Sequence, residues 1–124
     1  MPTAETLERF IARVEGNAHA EAWAEFYTEA SSMQENRSMP RDGRDVHVAN
    51  ELKVLARAKS VASKCIRPVF AVEDRVVIRW IFGFEWLDGS TTHIAELAYQ
   101  RWKGERIARE TFFYDPDQRV PKLS

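Results

Sequence analysis

Residues 76–114 decide the fold: VVIRWIFGFEW (76–86), LDGS (87–90), TTHIAELAYQRW (91–102), KGER (103–106) and IARETFFY (107–114). In the first segment Trp80, Phe82, Phe84 and Trp86 alternate with Arg79, Ile81, Gly83 and Glu85, the period of two that defines a strand with one apolar face. Asp88-Gly89 is a hairpin signal, because Gly tolerates the positive φ that tight turns demand. Lys103–Arg106 supplies a second turn. Three antiparallel strands in a meander follow from this pattern. Taking Asp88-Gly89 as a two-residue loop sets Phe84 opposite His93, Phe82 opposite Ala95 and Trp80 opposite Leu97. Taking Gly104-Glu105 as the next loop sets Tyr99 opposite Glu110, Leu97 opposite Phe112 and Ala95 opposite Tyr114. One face then carries Trp80, Phe82, Phe84, Trp86, His93, Tyr99, Glu110, Phe112 and Tyr114. The other carries Arg79, Glu85, Glu96, Gln100 and Arg109 with Ile81, Ile94 and Phe113. A slip of one residue exchanges faces, so these assignments stand or fall with the loop lengths.

Upstream the period changes. Leu7, Phe10, Ile11 and Val14 form one helical stripe over residues 4–14, with Thr3 and Thr6 offering caps and Gly16-Asn17 a stop. Residues 18–27 form a second helix with Trp23, Phe26 and Tyr27 on one side and Glu21 and Glu25 on the other. Residues 30–37 (ASSMQENR) read as a short extended segment, and Ser38–Gly43, with Pro40 and Asp42-Gly43, as a turn. A third helix is expected over Arg44–Ala58, its stripe formed by Val48, Leu52 and Leu55 and its basic end complementing the helix dipole. From Ser60 the period returns to two, with Ile66, Pro68, Phe70 and Val72 in alternation. Ten of the 14 aromatic residues fall between Phe70 and Tyr114, so a sheet in the second half covers helices from the first. The fold class is α+β.

Length and charge bound the function. At 124 residues the chain is one domain, with a core over about 4–116 and a tail over 117–124. Its 18 Lys and Arg against 19 Asp and Glu give a net charge of −1, which supplies no general drive toward nucleic acid. The start MPTAETLERF lacks the basic and apolar regions of a signal peptide, and no stretch approaches a membrane span. The single Cys65 has no disulfide partner, which fits a reducing compartment. A cytoplasmic protein is expected. No phosphate loop, nucleophile elbow or dinucleotide fingerprint is present, so no cofactor is expected.

The strings AWAEFYTEASSMQEN (22–36), GRDVHVANE (43–51) and ELAYQRWKGERIARETFFYDP (96–116) resemble the nuclear transport factor 2-like superfamily, specifically its SnoaL-like branch. The resemblance spans about Leu7–Pro116. It implies a cystatin-like cone, in which a curved, mainly antiparallel sheet wraps three N-terminal helices around an interior pocket, and a homodimer through the outer sheet face. It does not settle a reaction, because the superfamily includes steroid isomerases, dehydratases, epoxide hydrolases, cyclases and proteins without chemistry. At the position of the isomerases' catalytic Asp this chain has Gln34, or Glu35 after a one-residue shift. At the position of the Asp on the last strand of the hydrolases and cyclases it has Phe112.

What remains is Glu110, on the same strand face as Phe112. A carboxyl in apolar surroundings gains proton affinity and suits acid or base work near neutral pH. Histidine is the side-chain type whose ordinary range lies there, which brings in His93, and Tyr99 or Tyr27 could donate a hydrogen bond to developing negative charge. The expected site therefore has Glu110, His93 and Tyr99 as catalytic groups. Tyr27, Gln34, Trp80, Phe82, Phe84, Phe112 and Tyr114 would contact a small, largely apolar molecule. Each has a plainer alternative: the aromatic row as core, Glu110 bonded to Tyr99 or Arg101, His93 on an exposed rim, and Gln34 satisfying backbone near the Pro40 turn. His47 and Glu51 have metal-ligand spacing, but without a third ligand a solvated helix face is the better reading and no metal is expected. The functions in view are a cofactor-free isomerase, dehydratase or hydrolase, a noncatalytic binding module, and a structural dimer with a filled core.

Overall fold

The computed structural model describes residues 1–123. Helix α1 (Ala4–Glu15) starts where the Thr3 hydroxyl accepts the Thr6 N–H at 3.1 Å, and it stops at Gly16, followed by Asn17 at φ 64°. Helix α2 spans His19–Phe26. Strand β1 is Tyr27–Glu35 and β2 the two residues Arg41–Asp42. Helix α3 is Arg44–Ala56, and strands β3 (Ala58–Val72), β4 (Arg75–Trp86), β5 (Thr91–Lys103) and β6 (Arg106–Phe113) follow. The six strands form one sheet in the order β2-β1-β6-β5-β4-β3, with β1 and β6 parallel and every other pair antiparallel.

Two boundaries move. Tyr27 opens β1 rather than closing α2, so the extended segment begins three residues before the expected 30–37. The third helix ends at Ala56, and Ala58 already belongs to β3. The tail also has structure. Pro116–Arg119 form a 3₁₀ turn, and Lys122 exchanges two backbone hydrogen bonds with Thr91.

Phe10 centres the core. Its ring meets Phe26, Tyr27, Trp80 and Trp102 edge-on at centroid distances of 5.5–6.5 Å. Removing such a side chain from water contributes about 2 kcal/mol, so the α1 stripe is fixed by burial rather than propensity.

The register differs from expectation, and the cause is local. The β4–β5 connection has three residues, Leu87, Asp88 and Gly89: the Gly89 N–H bonds the Trp86 carbonyl at 3.0 Å, the Trp86 N–H bonds Ser90, and Gly89 takes φ 89°. Phe84 therefore faces Thr92, Phe82 faces Ile94 and Trp80 faces Glu96. All of β5 is turned over relative to the two-residue reading. The β5–β6 hairpin begins as expected, with Lys103 opposite Arg106 and Trp102 opposite Ile107. Arg101 then pairs with Arg109, leaving Ala108 as an extra residue in β6. This bulge cancels the earlier shift, and Glu110 and Phe112 return to the concave side.

Helix α3 is reversed as well. His47 and Glu51 are buried, whereas Leu52 and Val46 are about half exposed. The polar pair is inward because each side chain finds a hydrogen-bond partner there, which removes most of the cost of leaving water.

On the far side of the sheet, the edge strand β3 meets the end of α1. The Glu15 carboxylate accepts the Cys65 N–H at 3.0 Å.

Candidate functional site

The concave face of the sheet and the three helices enclose a cavity of about 860 Å³, bounded by Tyr27, Trp80, Phe82, Phe84, Phe112 and Tyr114 among others. The aromatic row is thus both core and cavity wall. Phe82 stacks on Trp80 at 5.6 Å, and Phe84 lies parallel to Trp86 at 5.0 Å.

Glu110 reaches this cavity and is 1 % exposed. Its two oxygens accept hydrogen bonds from the Tyr27 hydroxyl and, at 2.6 Å, from the Gln100 amide, whose own oxygen accepts the Trp102 indole N–H at 3.0 Å. Burial raises the Glu110 carboxyl from an ordinary 4.5 to about 7, against the opposing pull of those two donors. Burial and the Glu110 charge hold the Tyr27 hydroxyl well above its usual range. Tyr27 therefore acts as a donor.

Glu96 stands across from Trp80 on β5 and lines the same cavity. Burial first, and Glu110 second, push it up to about 8. Glu35 sits nearer the mouth, held by Arg119 at 2.9 Å and Arg41 at 3.4 Å, with Arg119 also bonding the Tyr114 hydroxyl at 3.1 Å. A third group joins the α2 and α3 walls: His19 Nδ1 lies 2.9 Å from Glu51 Oε1 and its Nε2 lies 2.8 Å from Ser63 Oγ. His47 donates from Nε2 to the Ser31 carbonyl at 3.1 Å, since a carbonyl can only accept, and burial lowers its affinity for a proton.

Seven of the expected residues come together here: Glu110, Tyr27, Trp80, Phe82, Phe84, Phe112 and Tyr114. Three do not. The turned-over β5 places His93 on the outer face, exposed, with its ring against Gly83. It places Tyr99 there too, 43 % exposed beneath the Arg75 guanidinium. Gln34 faces away from the cavity and donates to the Ser38 carbonyl at 3.0 Å, so Glu35 is the inward residue of that pair. Glu110 bonds Tyr27 and Gln100 rather than Tyr99 or Arg101. The His47–Glu51 face is buried, not solvated. Among the described residues no three His, Cys, Asp or Glu side chains converge as a metal site. Sequence reasoning missed Glu96 and Gln100 through the register. It also missed His19, whose spacing of four from Trp23 puts it in line with Trp23 and Tyr27, a signal that was there to be read.

No protein-family model matches the chain, nor does any curated protein sequence. Solved structures do. A Catenulispora acidiphila protein with a ketosteroid isomerase-like fold, determined in complex with trimethylamine, superposes with a TM-score of 0.76 at 15% identity over 95% of this chain and 91% of its own. The chain has the nuclear transport factor 2-like fold. A Mesorhizobium loti protein described as a SnoaL-like polyketide cyclase gives 0.75 at 15% identity over 92% of this chain and 100% of its own. An LEH-like epoxide hydrolase from M. tuberculosis gives 0.75 at 10% identity over 93% and 84%. A cone of three helices and a six-stranded mixed sheet is the fold that these structures share with the chain, and identities this low carry no activity across. Among the described residues no helix is long and apolar enough to cross a membrane.

Proposed function

We propose that this SnoaL-like protein takes a small, largely apolar molecule into the cone and performs cofactor-free proton transfer on it, as an isomerase, dehydratase or hydrolase. One observation carries the reading: a fully buried carboxyl, Glu110, meets an aromatic cavity with its proton affinity raised to about 7. The cavity volume of about 860 Å³ suits a compact organic ligand. Glu110 accepts a proton from the substrate and returns it at a second position. Tyr27 and Gln100 steady the carboxylate while it is charged. Glu96, protonated at neutral pH by its rise to about 8, faces the same space as the acid. The groups needed for such a transfer are side chains, and the chemistry asks for no cofactor, no metal and no nucleic acid. A cytoplasmic homodimer through the outer sheet face belongs to the same reading, supported by Ile81, Leu97 and Phe113, each 40–49 % exposed on that face.

A second reading has support of its own. Both Glu110 oxygens already accept hydrogen bonds, as a purely structural carboxylate would, and the cone then binds without turnover. A thermal-shift screen of small cyclic ketones, alcohols and epoxides, followed by product analysis of the binders, separates the two. Turnover that disappears in Glu110→Gln while binding persists establishes the enzyme. Binding without conversion establishes the module, and stabilisation by no compound overturns both.

A further inference from the structure

The Glu51–His19–Ser63 array is not used by the chemistry proposed for Glu110. Its order is that of a nucleophilic triad: the carboxylate bonds one imidazole nitrogen at 2.9 Å and the serine hydroxyl bonds the other at 2.8 Å. His19 is 5 % exposed, and its ring is held edge-on against Phe82 at 5.4 Å, so its direction is fixed by packing. Glu51 is 8 % exposed. Ser63 is only partly buried and stands on β3, the open edge of the sheet. The acid and base are thus sheltered and the hydroxyl is reachable, as a nucleophile requires.

Two donors adjoin the hydroxyl. The Cys65 N–H points off the sheet edge to Glu15. Backbone groups alternate along a strand, so the Ser63 N–H, two residues earlier, points off the same edge with no ladder partner. The Asn17 carboxamide lies against the serine, its Oδ1 accepting from the Ser63 hydroxyl at 2.8 Å. Its two ends exchange by rotation, and with the NH₂ end toward the serine the whole array is satisfied by neutral groups and one carboxylate. Asn17 then donates to Ser63 Oγ, the Ser63 hydroxyl donates to His19 Nε2, and His19 Nδ1–H donates to Glu51.

We propose that Ser63, with His19 as base and Glu51 as its orienting acid, is a second reactive centre that opens to the outer edge of the cone and hydrolyses small esters. Ser63 Oγ attacks the ester carbonyl carbon as its proton passes to His19 Nε2. The carbonyl oxygen becomes negative between the Ser63 N–H and the Asn17 amide. The C–O bond to the leaving group breaks as His19 returns the proton to the departing alkoxide, releasing an alcohol. Water, deprotonated by His19, then cleaves the acyl-serine to the acid and restores the hydroxyl.

The test is covalent labelling of the full chain with an alkyl fluorophosphonate. Intact mass should rise by a single phosphonyl group that maps to Ser63, and Ser63→Ala should lose it entirely. Release of p-nitrophenol from p-nitrophenyl acetate should show a burst of one equivalent that the variant lacks. If Ser63→Ala does not fold, Ser63→Cys gives a thiol beside His19 that should react with iodoacetamide at pH 6 at least tenfold faster than a free cysteine. Absence of an adduct at Ser63, or an alkylation profile in Ser63→Cys like that of free cysteine, overturns the proposal.

Discussion

Replacing Glu110 by Gln tests the burial argument through stability rather than activity. In the unfolded chain the carboxyl titrates near 4.5, and in the folded protein near 7. Below pH 4.5 both states hold the proton and the group costs little. Between these values the unfolded chain has released its proton and the folded chain has not, so stability falls as pH rises, by about 1.4 kcal/mol per unit. Above pH 7 both are ionised and the whole difference, roughly 3 kcal/mol, is lost from the folded state. The substituted amide cannot titrate. It can accept from Gln100 and donate to the Tyr27 hydroxyl, so the network survives in outline. The expected outcome is that Glu110→Gln gains on the parent by up to about 3 kcal/mol between pH 4.5 and pH 8. Urea unfolding followed by tryptophan fluorescence across that range measures it. Glu96 titrates in both proteins, and without the Glu110 charge its own upward shift shrinks, which adds to the gain. A difference between the two proteins that stays constant with pH refutes the assignment of Glu110 as a buried carboxyl with raised proton affinity.

Tyr27→Phe removes a donor that holds the Glu110 carboxyl down, so the midpoint of that pH dependence should move upward, with a loss of about 2 kcal/mol at pH 8; the same unfolding series reads both. Gly89→Ala meets no atom within 4 Å, yet it forces φ 89° on a residue with a Cβ, and denaturant midpoints should report a loss of about 1–2 kcal/mol from conformation alone. Leu97→Glu, on the outer face, should shift sedimentation from dimer to monomer without moving the Tm shift produced by a cavity ligand; an unchanged oligomer would place the interface elsewhere.

Much of the cone was legible because burial leaves a periodic mark. The α1 stripe and the row from Trp80 to Trp86 both follow from spacing. The faces of β5 did not, since Asp88-Gly89 serves two-residue and three-residue loops alike and only the backbone path chooses between them. That one residue exchanged His93 and Tyr99 for Glu96 and Gln100. Glu110 stayed inward only because the extra residue at Ala108 undid the displacement, a compensation that no local pattern announces. In α3 hydropathy pointed the wrong way. Leu52 looked like core and Glu51 like surface, but Glu51 had a buried histidine 32 residues away to meet.

The carboxylate of Glu15 on the Cys65 amide also bears on how copies of this chain can meet. An open sheet edge invites another strand to add itself, and native proteins blunt such edges with charge. Here the last residue of the first helix occupies an outward amide of the long terminal strand, and the opposite margin is only two residues long. A strand approaching the long margin meets a carboxylate midway along it, and one approaching the other margin finds little to pair with. Growth into a continuous ribbon, strand upon strand, is thereby hindered at both margins.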